Sequence, residues 1–179
     1  MEYLAGNFKL SKTKANEILE NMEISKEKIK QYNKNKKNIK NALKKGDTQL
    51  AIIISEYPLL IACYSDEFDS VIIYKYPNFL VGKYNLKEND VLVTSNNYWA
   101  KGALDFADDI ILGEEHSNYW RDIITYIPLF LCDDEEKVKQ FTENRNDPCL
   151  VEYIKECAVY YEKERPGHFR DGFKTLFEI

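Results

Sequence analysis

The chain reads as an α+β protein, an antiparallel meander sheet of about four strands flanked by N-terminal and C-terminal helices. Three observations predict it. Residues 50–55 (LAIIIS), 59–64 (LLIACY) and 71–76 (VIIYKY) each have the length and the Ile, Val and Tyr content of a strand. The links between them, residues 56–58 and 65–70, are too short for a parallel crossover of a dozen or more residues, so neighbouring strands run antiparallel. Segments with helical periodicity and recognisable caps lie before and after these runs.

Taken in chain order, Ser11 supplies a capping hydroxyl for a helix to about Met22, with Ala15, Ile18, Leu19 and Met22 on one face. Ser25 caps a second, striped by Ile29, Tyr32, Ile39 and Leu43. That helix is expected to stop at a left-handed Gly46, with Lys44 and Lys45 near its negative end. After the three strands, residues 90–96 (DVLVTSN) are expected as a fourth, preceded by a turn at 85–89. Residues 97–117, which include Trp99, Gly102 and Gly113, are expected to be mostly irregular. A helix over 118–127 follows, ended by Pro128.

Asp133 with Glu136 reads as a capping box that opens a helix to about Asn144. Asp147-Pro148 opens the last helix, which runs to about Glu164 with Leu150, Ile154, Cys157, Ala158 and Tyr161 on its apolar side. The final residues (HFRDGFKTLFEI) are too apolar to dangle, and His168, Arg170 and Asp171 are expected to anchor them. At 179 residues one domain is the natural expectation: a basic helical segment (1–46), the sheet (47–97) and an acidic loop and helical segment (98–179).

Composition excludes several classes. Apolar content of 44% and aromatic content of 13% exclude a disordered chain. No apolar stretch reaches the ~18–20 residues of a membrane span, so no membrane partner is expected. No basic region leads into an apolar stretch with a cleavage site near residue 1, which points to the cytoplasm. Cys63, Cys132, Cys149 and Cys157 lie far apart and are expected to be reduced.

Charge is uneven. Residues 1–50 carry a balance of +6 and residues 51–179 one of −11. We expect the basic helices to pair with the acidic body rather than with nucleic acid, and the Lys, Asn, Ile and Tyr abundance also matches AT-rich coding.

No GxSxG, GxxxxGK[ST], GxGxxG, HExxH or CxxC motif occurs, and the two histidines, His116 and His168, are 52 positions apart. No cofactor and no metal are therefore expected. The carboxylates of residues 66–69 (DEFD) read as an exposed hairpin turn, because the Gly-centred alternation of a calcium loop is missing. The best candidate surface is Asp105, Asp108, Asp109, Glu114, Glu115 and His116, five carboxylates and an imidazole within twelve residues. Trp99 and Trp120 flank it; aromatic anchors beside charge suit an interface, and they equally suit a core edge with the indole N–H paired.

These features point to a non-enzymatic intracellular protein-binding domain, such as an acidic inhibitor or immunity-type protein that recognises a basic partner. The alternative is a small metal-assisted hydrolase that uses Asp105, Asp108, Asp109 or Glu114 with His116.

Overall fold

A computed structural model describes residues 4–99 and 105–178; positions 100–104, Gly102 among them, lie outside the described residues. The architecture is α+β, with helices from both ends of the chain around a mostly antiparallel five-stranded sheet and a second sheet of two strands. Among the described residues no helix is long and apolar enough to cross a membrane.

The meander is as expected. Strands β1 (Leu50–Glu56), β2 (Leu59–Ser65) and β3 (Ser70–Tyr76) pair antiparallel in sequence order. Every residue of β2 is buried, and Lys75 alone is exposed in β3, so both faces of the sheet are covered. Strands in that position have no reason to alternate apolar with polar residues, which accounts for the continuous apolar runs. Along β3, Val71 lies beneath the last helix while Tyr76 turns the other way, meeting Phe130 and Phe173 at 5.2 Å each.

Helix α1 (Lys12–Asn21) starts at Ser11, whose hydroxyl accepts from Lys14 N, and buries Ala15 and Ile18. Helix α2 (Lys26–Lys45) starts at Ser25 and buries Tyr32, Ile39 and Leu43, while Ile29 remains exposed. Its end corrects the expectation for Gly46. The residue is extended (φ −62°, ψ 149°), not left-handed. Glycine is required there by closeness, since a Cβ would overlap the Ser95 hydroxyl and the Ala42 carbonyl.

Three further expectations are corrected. Residues 90–96 are not one strand: after helix α3 (Phe79–Tyr84), β4 (Val91–Val93) pairs with β1, and β5 (Ser95–Trp99) leaves for the second sheet. Its partner is β6 (Asp122–Tyr126), where a helix over 118–127 was expected. The β-branched run Ile123-Ile124-Thr125 prefers the pleated backbone, and the only helix nearby is the single turn α4 (Pro128–Leu131).

The third concerns the capping acid before α5 (Glu135–Arg145), which is Asp134, accepting from Lys137 N at 3.0 Å, and not Asp133. Helix α6 (Pro148–Glu164) begins at Asp147 and Pro148 as expected and packs across β1, β2 and β3. The last residues do dock. Strand β7 (Arg170–Asp171) adds in parallel to β3, the one parallel pair of a sheet ordered β4-β1-β2-β3-β7.

Candidate functional site

The turn between β2 and β3 is not the solvated loop that its carboxylates suggested. Glu67, Phe68 and Asp69 are all buried. The chain at 110–117 covers them and is laced on by Gly113 N to Phe68 O (2.9 Å), Ser117 N to Glu67 O (2.9 Å) and the Ser70 hydroxyl to Ile111 O. Asp69, in a left-handed conformation (φ 49°), organises this contact. One of its carboxylate oxygens accepts from the Tyr64 and Tyr153 hydroxyls at 3.2 and 2.9 Å, and the other accepts from Glu115 N at 3.0 Å.

Opposite this loop runs α6. Tyr153, Glu156, Cys157 and Tyr160 stand at positions i, i+3, i+4 and i+7, so they share one face of the helix. Between that face and residues 111–115 lies a groove of about 700 Å³, floored by Asp69, Ser70 and Val71. Glu114 and Glu115 stand on its loop bank, Glu156 on its helix bank, and all three are exposed. Tyr153 and Tyr160 form the aromatic part of the wall. Burial holds the Cys157 thiol above its ordinary pKa, so at neutral pH it is protonated and not a nucleophile.

The eight residues singled out in the sequence do not form one surface. Glu114 and Glu115 rim the groove, and His116 sits behind them with its Nδ1–H donating to Gly113 O at 2.7 Å, where it fastens the loop. Asp105 and Asp108 are exposed. Asp109 is taken up by Arg170, which reaches its two oxygens at 2.5 and 2.6 Å, Asp122 at 2.9 Å and Ile123 O at 2.7 Å. Burial pushes the Asp109 carboxyl up, but the Arg170 hydrogen bonds and charge outweigh it and hold the group below its ordinary value.

Trp120 stacks on Tyr98 at 5.7 Å (27° between planes). Trp99, 39% exposed, belongs to a different depression, lined also by Asp109, Phe169 and Arg170. Among the described residues no three His, Cys, Asp or Glu side chains gather so as to hold a metal ion. The carboxylates and imidazole of 105–116 are thus dispersed: Asp109 into an ion pair, His116 into a loop fastening, Glu114 and Glu115 onto a groove rim, and Asp105 and Asp108 into solvent. Sequence reasoning missed Asp69, Tyr153, Glu156 and Tyr160. The helical spacing of the last three was a usable signal, but nothing local pairs them with a turn 84 positions earlier.

A second acidic feature lies at the junction of the two sheets. Asp47 exchanges backbone hydrogen bonds with Asn96 (2.8 and 2.7 Å), and its carboxylate accepts from Gln49 Nε2 at 2.7 Å. The side chain is 3% exposed and faces Asp66, and burial chiefly, with the Asp66 charge, pushes its pKa up to about 6. Between about pH 4 and pH 6 the native chain therefore holds a proton that the unfolded chain has released, and stability falls as pH rises through that window. Asp47→Asn reproduces the protonated group at every pH. It is expected to raise stability at pH 7 by about 1–2 kcal/mol and to flatten the decline above pH 4. Urea denaturation from pH 4 to 8 measures both, and an Asn variant less stable at pH 7 would contradict the assignment.

No family model matches the chain, and no curated protein or solved structure matches it either.

Proposed function

We propose that the chain is a protein-binding domain that takes a cationic segment of a partner into the groove between α6 and residues 111–115. The observation behind this reading is the distribution of charge. Carboxylates stand on both banks, Glu114 and Glu115 on one and Glu156 on the other, around walls that carry Tyr153 and Tyr160. A lysine or arginine laid along the groove would meet acid at its head and aromatic surface along its stem, the combination that makes basic side chains strong anchors. Val159 (71% exposed) and Tyr160 (52%) extend apolar surface beyond the groove, for the flanking residues of such a segment. An inhibitor or immunity-type protein that neutralises a basic toxin or nuclease is the biological form of this reading.

The test is a titration of the isotope-labelled protein with short extended peptides carrying spaced lysine and arginine. Amide shifts should concentrate at 111–115 and on the outward face of α6. The combined variant Glu114→Gln, Glu115→Gln, Glu156→Gln is expected to weaken binding at least roughly tenfold, with little change in melting temperature because all three side chains are exposed. Binding should weaken as salt rises past about 0.1 M. Shifts confined to other faces, or undiminished affinity in the variant, would remove the groove from consideration.

A further inference from the structure

Helix α2 holds nine lysines and one acid, Glu27, in twenty residues. The expectation from the sequence was that these lysines pair with the acidic remainder of the chain. They do not: among the described residues no carboxylate lies within salt-bridge distance of any lysine in α2. Lys28 and Lys36 instead lie over the Phe177 and Tyr32 rings, at 5.5 and 6.0 Å. Eight of the nine are exposed, Lys36 being half-buried.

Their arrangement follows from how the helix is seated. Tyr32, Asn35, Ile39 and Leu43 turn inward, and Asn35 is tied to the Thr175 carbonyl at 2.8 Å, which fixes the rotation. At 100° per residue, Lys26, Lys30, Lys37 and Lys44 then fall within a narrow sector on the opposite side, along about 27 Å of axis. Lys34, Lys40 and Lys45 widen the row, and exposed Asn33 and Asn41 stand among them. This is a positively charged ridge with amide groups interspersed.

We infer that the outer face of α2 docks on the phosphate backbone of double-stranded nucleic acid without reading its sequence, an inference independent of the groove. Three features select that occupant. Lysine ammonium groups and amides are the usual donors to phosphate and sugar oxygens, and a row of fixed pitch matches a regular polyanion. Single strands are captured by stacking bases on aromatic rings, and the one aromatic residue of α2, Tyr32, is 3% exposed. A membrane-surface helix inserts its apolar face, whereas Tyr32, Ile39 and Leu43 of α2 are spent on the core and Ile29 alone of that stripe is exposed. The acidic body would confine contact to this ridge, because a polyanion is repelled elsewhere.

The experiment is fluorescence anisotropy of a labelled mixed-sequence DNA duplex of about two helical turns with the full chain, from about 50 to about 200 mM salt. Affinity should fall steeply and linearly on logarithmic axes. The variant Lys30→Gln, Lys37→Gln, Lys44→Gln should bind roughly tenfold or more weakly at the lowest salt, and its slope should be shallower by about three. Its melting temperature should change little, since all three side chains are exposed. Absence of salt-sensitive binding overturns the inference, as does a variant with unchanged affinity and slope. Tighter binding of a single strand than of the duplex overturns it too. So does retention on phosphatidylserine vesicles without binding of the duplex, which assigns the ridge to a membrane surface.

Discussion

Arg170→Met is expected to cost roughly 3–5 kcal/mol of stability, because it strands two half-buried carboxylates. The guanidinium engages Asp109 through two nitrogens, Asp122 through one and the Ile123 carbonyl through another. Methionine keeps most of the volume and none of the charge. Asp109 and Asp122 would then face each other without a cation between them, and β7, whose pairing with β3 spans two residue pairs, would lose its main side-chain attachment. Two measurements distinguish this from a simple packing loss. A second substitution, Asp109→Leu, in the Arg170→Met background should recover part of the stability, as coupled charges do not add.

The acid limb should also change. The Asp109 pKa is depressed in the fold, so its contribution is present above about pH 4 and is lost as pH falls below that. In Arg170→Met this component of acid unfolding should vanish. A loss under about 1 kcal/mol would mean that solvent, not Arg170, satisfies the two acids.

Gly113→Ala is the other large effect, and it links fold to groove. A Cβ at this position would overlap both the backbone carbonyl and the carboxylate of Asp69. The carbonyl belongs to the turn that joins β2 to β3 and has no freedom to withdraw, so the 110–117 loop must lift. Lifting it stretches the bonds from Gly113 N to Phe68 O and from Glu115 N to Asp69. A stability loss of about 2–3 kcal/mol is expected. Glu114 and Glu115 would move with the loop, so affinity for a cationic peptide should drop together with stability. Thermal melts and the peptide titration, run on the same variant, check both. Ser would be expected to behave like Ala, since the obstacle is the Cβ itself.

How much of this could be read from the chain depends on how far apart the partners lie. Helices α1, α2 and α6 announce themselves through Ser11, Ser25 and Asp147-Pro148, because a cap and its amide are neighbours. The meander is equally legible, since strands covered on both faces must be apolar throughout. Residues 122–126 misled because their position before Pro128 suggested a helix, while the preference of Ile123-Ile124-Thr125 for extended backbone was the stronger signal.

Gly46 reads as a left-handed helix stop and Gly113 as one glycine of an irregular stretch. Their reason is the approach of Ser95 and of Asp69, which no local pattern discloses. The candidate site suffered most. The 105–116 acids look alike in sequence, yet Asp109 is neutralised by a residue 61 positions away and Glu114 is not. Asp69 passes for a turn residue until the loop and α6 close over it.

The two faces of α6 have separable duties. Ile154 and Ala158 are buried and Tyr153 is tied to Asp69, while Glu156, Val159 and Tyr160 are exposed and contribute little to holding the helix in place. Substitutions at those outward positions can accumulate without endangering foldability, so the same scaffold can drift from one visitor to another. If the groove takes a partner as proposed, a lineage following a changing partner would find that latitude along a single stretch of five residues, with the rest of the molecule left as it is.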